Sequence, residues 1–237
     1  MAGNAKADWL IPAGLIALAF IPITAGMVRL TVLAGGAAIT PENARFIAAP
    51  VPVVLHIISV TTYCILGAFQ FAPGLRRKYR RWHRVAGRVL VLVGLVAAGS
   101  GLWMALTYAI VPADNALLHS FRLLAGSGMA LSLVIGFVAI GRRDVECHQV
   151  WMRRAYAIGQ GAGTQAVTQL PLILLFGALD DMTKALMMGG AWALNLGVAE
   201  WLIRRRRQKR FALAAATPPA TLVAAAAAPS PVATLSP

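Results

Sequence analysis

The chain has 237 residues, of which 59% are hydrophobic and only 13% are charged, and its mean hydropathy is +0.70. Soluble domains average about a quarter charged residues, so this composition excludes an ordinary soluble protein. A net charge of +14 would suggest a nucleic-acid partner in a soluble chain. Here the cations lie at the ends of apolar runs, which indicates the lipid bilayer as the partner and no nucleic acid.

Six apolar runs are each near the roughly 20 residues that a helix needs to cross a bilayer. They predict an all-α, polytopic membrane protein with a six-transmembrane-helix bundle over residues 9–210. Residues 1–8 are a predicted cytoplasmic N-terminus, and the Ala/Pro-rich tail 211–237 is predicted to be disordered. The predicted spans cover residues 9–33, 51–72, 83–111, 116–140, 151–176 and 182–203.

The first span lacks the features of a cleavable signal peptide. Its apolar run exceeds the roughly 7–15 residues of a signal h-region, and only Lys6, against Asp8, precedes it. It is therefore interpreted as a retained signal-anchor helix. The connector 35–50 that follows is the longest loop, and a short helix is expected to start near Pro41.

Lysine and arginine collect at alternate ends of the predicted spans. Eighteen of the 22 lie on one side, and the largest group is the basic turn, residues 76–88. Because loops rich in these cations resist translocation, the distribution predicts that both termini are cytoplasmic.

The four histidines each lie near the start of a different span, from the second to the fifth. Successive spans run in opposite directions, so His56 and His119 are expected near the periplasmic surface, and His83 and His148 near the cytoplasmic one. Two facing imidazoles on two helices are the axial ligands that a b-type haem iron needs. The pattern predicts haem b at both surfaces, with Arg122, three residues after His119, near a propionate.

Polar and small residues recur at helical spacing on three spans. Such faces admit either a flat macrocycle or simply a neighbouring helix, and polar stripes ordinarily form hydrogen bonds across helices. The sets are His56, Ser59, Tyr63, Gly67 and Gln70 on the second span; His83, Gly87, Gly94, Ala98 and Gly101 on the third; and Tyr156, Gln160, Thr164 and Thr168, beside Gln165 and Gln169, on the fifth.

Two other interpretations stay open. Asp144, Glu146, Cys147 and His148 form a possible metal site at the cytoplasmic rim, which His83 would join, although the spacing matches no closed zinc pattern. Alternatively, the histidines are structural, and the protein is a non-enzymatic small transporter or an assembly or interaction partner. No catalytic motif is present, so the sequence does not decide whether the protein is an enzyme.

Several short motifs are distinctive. They are Gly67-Ala68-Phe69-Gln70-Phe71, then Trp82-His83-Arg84 with Gly87-Arg88, and His148-Gln149-Val150-Trp151-Met152-Arg153-Arg154-Ala155-Tyr156-Ala157. In these motifs, over roughly residues 50–165, the chain resembles a bacterial family of predicted membrane proteins with a domain of unknown function. The resemblance implies a multi-pass protein of the bacterial inner membrane and brings no activity.

The layout of the histidines is also similar to that of the transmembrane di-haem cytochromes b of the ascorbate-reducible type. Those proteins have six helices and place paired histidines on spans two and four and on spans three and five. The similarity implies the pairs His56–His119 and His83–His148, and a role as an electron carrier or a quinone-linked reductase component with a redox partner.

Overall fold

The computed structural model describes residues 5–36, 38–41, 43–109 and 115–216, with side chains from residue 9 to residue 213. The chain divides into two compact units, Met1–Ala199 and Glu200–Pro237, and the packing below lies within the first. The helices of the described residues are α1 (Ala5–Ala34), α2 (Ala44–Ala48), α3 (Pro50–Gln70), α4 (Pro73–Lys78), α5 (Arg80–Thr107), α6 (Ala116–Gly141), α7 (Val145–Gly159), α8 (Gly161–Phe176) and α9 (Asp181–Ala216).

Five of these helices, α1, α3, α5, α6 and α9, are long and apolar enough to cross a membrane. The described residues contain no strand. Much of the apolar surface of these helices points outward; Leu92 and Leu124, for example, are 66% and 69% exposed. Outward leucines have no favourable place in water but are the normal lining of a helix against lipid. The predicted all-helical membrane architecture is therefore confirmed.

The predicted fifth span is two helices, α7 and α8, of 15 and 16 residues, and neither alone reaches the length of a span. Gln160 separates them. Glycines beside the break allow unusually close approaches: a Cβ on Gly161 would collide with the indole of Trp192, and one on Gly163 with the carbonyl of Leu18. This segment is thus pressed between α1 and α9 by contacts that only glycine permits.

The connecting segments and the C-terminal part agree only in part with the predictions made from the sequence. The short helix expected in the first connector is α2, which begins at Ala44. The basic turn is divided, because α4 ends at Lys78 and α5 begins at Arg80. Helix α9 continues to Ala216, six residues into the segment predicted as a tail. The rest of that tail, residues 217–237, lies outside the described residues.

In the contact between α3 and α5, a side chain of α3 lies against a glycine of α5 at every second turn. A Cβ on Gly94 would lie 2.8 Å from the Tyr63 ring, and one on Gly101 would lie 3.3 Å from His56 Cε1. At Gly87 the corresponding neighbour is Gln70, at 3.8 Å. Both sets repeat every seven residues, so the small-residue face of α5 receives a neighbouring helix along most of its length.

The polar stripe of α7 and α8 forms hydrogen bonds between helices. Tyr156 donates its hydroxyl proton to Cys64 O at 2.7 Å, and Gln160 Nε2 donates to the Tyr156 hydroxyl at 2.8 Å. Thr164 donates to Asn195 Oδ1 at 2.8 Å, and Gln165 Nε2 donates to Met188 O at 3.3 Å. These bonds fix α7 and α8 against α3 and α9, as buried polar side chains in membranes commonly do.

Substituting Gly94 by valine tests the close contact between α3 and α5. The added side chain meets Tyr63 and Leu133, and overpacking of this kind destabilises a core by about 1–3 kcal/mol. Gly99→Val is the matched control, because a Cβ on Gly99 meets nothing within 4 Å. Thermal unfolding in detergent should show a lower Tm for Gly94→Val only. Equal Tm values for the two variants would contradict the contact.

Substituting Tyr156 by phenylalanine removes two buried hydrogen bonds while it keeps the ring that packs 5.6 Å from Tyr63 and 4.8 Å from Phe71. Each such bond is worth about 1 kcal/mol, so a measurable loss of stability is expected. Tyr79→Phe provides the control, since Tyr79 is exposed. A chemical unfolding series on both variants gives the comparison, and an unchanged Tyr156→Phe protein would show that the bonds contribute nothing net.

Candidate functional site

A cavity of about 350 Å³ lies inside the first unit, between α2, α3, α5, α6, the α7–α8 junction and α9. Its volume falls in the roughly 300–1,000 Å³ range of small-molecule and cofactor sites. Most of its lining is apolar and includes Met104, Met129, Met188 and Trp192. The polar side chains in the lining include His56, His119, Arg45, Arg122 and Gln165.

His56 reaches this cavity from the second turn of α3. Its Nδ1 lies 2.9 Å from Ala97 O and 3.3 Å from Ser100 Oγ, both on α5. A carbonyl oxygen only accepts, so Nδ1 carries the proton and the Nε2 of a neutral ring keeps its lone pair. Histidines that bind metals are commonly held in this way, through the nitrogen that does not coordinate. Gly101 leaves room for the ring beside α5.

His119 and Arg122 reach the same cavity from the first turns of α6. Asn115 caps this helix by accepting a hydrogen bond from Leu118 N at 2.8 Å, and its amide donates to Asp181 O at 2.9 Å. The start of α6 is thereby held against the start of α9. The structure therefore brings together His56, His119 and Arg122, which the sequence placed at one surface. Their role as ligands stays a prediction.

Helix α2 covers part of the cavity and supplies Arg45 and Phe46 to its lining. The Phe46 ring packs edge-on against Tyr108 at 5.6 Å, and the Tyr108 hydroxyl donates to Ala49 O at 2.5 Å. Arg45 also donates to Ala109 O at 3.5 Å. Sequence reasoning missed Arg45 as a lining residue; its only signal was its place among the few cations of the predicted periplasmic side.

The second predicted pair lies toward the other end of the bundle. His148 Nδ1 donates to Gly136 O at 2.8 Å, so the Nε2 of a neutral ring keeps its lone pair, as in His56. His83 interacts electrostatically with His148 and with Arg76, and its buried Nδ1 has no hydrogen-bond partner among the described residues. On α5, His83 is eighteen residues from Gly101, or about 27 Å along the axis. The two histidine pairs are therefore well separated.

The metal site considered at the rim near α7 is wrong. The Asp144 side chain caps α7 by accepting from Cys147 N at 2.9 Å. Within the part of the chain that the structure describes, no group of three or more His, Cys, Asp and Glu side chains is placed to hold a metal ion. Cys64 and Cys147 are both free thiols.

The family described as "Predicted membrane protein (DUF2306)" matches residues 53–203. The chain belongs to this family. The part shared with the family extends from α3 into α9 and includes all four histidines and Arg122, whereas α1 and α2 precede it. The resemblance to a membrane-protein family with a domain of unknown function is thus confirmed. No curated protein matches the chain, and no solved structure does.

Proposed function

We propose that this membrane protein holds haem b between paired histidines and carries electrons across a bacterial inner membrane. The observation that carries the proposal is the convergence of His56 and His119, from α3 and α6, on one largely apolar cavity. A bound haem would supply one-electron redox chemistry at such a site. A mobile quinone or another redox partner would provide or accept the electron.

The donor set around the cavity fits a haem. His56 and His119 would hold the iron through imidazole nitrogens, and the Nδ1 bond to Ala97 O favours the neutral tautomer that leaves His56 Nε2 available. Arg122, one turn from His119, and Arg45 on α2 are guanidiniums suited to carboxylates such as propionates. Apolar side chains form most of the remaining walls.

A second haem between His83 and His148 is the other half of the proposal. Its support is the charge interaction between His83 and His148, together with the Nδ1 bond that orients the His148 ring toward Gly136 O. Gly136 lies on α6, so this bond orients the histidine of α7 from a third helix. The unpartnered Nδ1 of His83 distinguishes this pair from the first, where the backbone fixes the ring.

The proposal includes six crossings with both termini in the cytoplasm. The fifth crossing would be α7 and α8 together, interrupted at Gln160. Broken helices occur in membranes where neighbouring helices satisfy the freed backbone groups. Asn195 on α9 donates to Ala157 O at 3.1 Å, and the Cys64 thiol on α3 lies 3.6 Å from Gly159 O, so neighbouring helices bond to backbone carbonyls beside the break. The cation asymmetry of the sequence supports the orientation.

A visible absorption spectrum of the purified protein tests the haem proposal. The expected result is a Soret band and an α band that sharpens after dithionite. His56→Ala and His119→Ala should each remove the haem between His56 and His119. His83→Ala and His148→Ala should each remove the haem between His83 and His148. Each single variant should therefore keep about half of the haem, which a pyridine haemochrome assay measures. Gln165→Leu, which changes the cavity lining without removing an imidazole, is the matched control and should keep the full spectrum.

Other results would favour the competing candidate, a small transporter or an interaction partner with structural histidines. Gln165, with its side chain both in the cavity and bonded to Met188 O, is the observation behind that candidate. A spectrum without any cofactor band after expression with added haem precursor would sink the haem proposal. If Gln165→Leu abolished the protein's cellular function and His83→Ala did not, the result would favour the transporter or interaction partner.

The native cysteines test the orientation. Cys147 follows the end of α6 and is partly exposed, whereas Cys64 is buried. A membrane-impermeant maleimide should label Cys147 in inverted vesicles and leave it unlabelled in intact spheroplasts. In a Cys147→Ser protein that also carries Met182→Cys, at the exposed start of α9, the pattern should reverse. Labelling of both positions from one side would contradict the proposed six crossings.

A further inference from the structure

A groove runs along α1, outside the cavity that His56 and His119 line. It is lined by Phe20, Ile21, Thr24, Ala25, Val28, Arg29 and Val32 from this helix, with Thr40 and Asn43 from the connector. Residues at these spacings form one helical stripe. From Phe20 to Val32 the stripe is about 18 Å long, which suits an extended alkyl chain. Its volume is about 670 Å³.

Arg29 is the charged side chain of this groove. Two neutral polar side chains of the groove are occupied: Thr24 donates to Phe20 O at 2.9 Å, and Asn43 accepts from Thr40 N at 2.7 Å and donates to Ala38 O at 2.9 Å. The groove thus combines an apolar length with one cation near the connector. This is the polarity of an amphiphile with an anionic head.

A single phenyl ring positions two arginines at that end. The guanidinium carbon of Arg29 lies 4.6 Å from the centre of the Phe46 ring, and that of Arg45 lies 5.0 Å from the same centre. Both are within the range of cation–π attraction. Two positive charges held this close favour an anion beside them and disfavour a third cation.

We propose that the groove binds an anionic phospholipid, with one acyl chain along the stripe from Phe20 to Val32 and the phosphate at Arg29. Guanidinium pairs with phosphate through two parallel hydrogen bonds, which gives this residue an advantage over lysine. A zwitterionic lipid offers the same phosphate but brings an ammonium group toward Arg29 and Arg45. The site is therefore selective for phosphatidylglycerol over phosphatidylcholine. Arg45 and Phe46 also line the cavity of His56 and His119, whereas Arg29 and the stripe of α1 do not, so the lipid test centres on Arg29.

Native mass spectrometry of the whole purified chain, titrated with each of these two lipids, tests the proposal. Phosphatidylglycerol should bind the wild type at least about tenfold more tightly than phosphatidylcholine, a difference of about 1.4 kcal/mol. Arg29→Gln should abolish that preference. Lys184→Gln, with the same loss of one charge outside the groove, should retain it.

Groove-filling variants separate the acyl chain from the head group. Ala25→Trp should weaken phosphatidylglycerol binding about tenfold, whereas Ala17→Trp, at another exposed position of α1, should not. Melting curves confirm that all four variants fold. Millimolar inorganic phosphate should not displace the lipid, since it lacks the chain.

Three results would overturn the proposal. They are equal binding of the two lipids, an unchanged preference in Arg29→Gln, and equal effects of Ala25→Trp and Ala17→Trp. If the wild type is a dimer that Ala25→Trp alone dissociates, a second copy occupies the groove and the lipid site is likewise refuted.

Discussion

The seven-residue register between α3 and α5 determines where His56, Tyr63 and Gln70 lie against α5. Lipid tails are as apolar as leucine, so close packing has to hold two membrane helices together. Gly94 lets the Tyr63 ring lie against the α5 backbone, and Gly101 does the same for His56. The approach brings Ala97 O within 2.9 Å of His56 Nδ1. Larger side chains on this face of α5 would move His56 Nδ1 away from Ala97 O. The hydrogen bond that fixes the tautomer of His56 would then be lost.

Hydropathy and charge alone predict most of the fold, because membrane insertion depends on each helix separately. The break at Gln160 could not be predicted in this way. It accompanies the close approach of Gly161 to Trp192 and of Gly163 to Leu18, and those partners are far away in the chain. A run of small residues looks the same in the sequence whether it continues a helix or marks its interruption.

The residues of the candidate site also include some that local sequence patterns predict and one that they do not. Alternating span directions bring His56 and His119 to one surface, and a spacing of three brings Arg122 to the face of His119, so their convergence follows from periodicity. Arg45 enters the cavity only because α2 folds over it, which is a tertiary event. The metal site considered around Asp144 and Cys147 was wrong for a different reason. These residues are close in the sequence because Asp144 caps α7, and its side-chain oxygen already accepts a hydrogen bond from Cys147 N.

The middle of the bundle is a densely packed layer of buried side chains. Between the two histidine pairs, Tyr63 and Tyr156 are buried to 4% and 5% exposure, and Leu133 and Ala155 are completely buried. Gly94 and Gly159 admit the Tyr63 ring to this layer, since a Cβ at these positions would lie 2.8 Å and 3.0 Å from it. The contact at Gly94 also holds α3 against α5, so the glycine that positions one helix on the other also allows the middle of the bundle to pack closely.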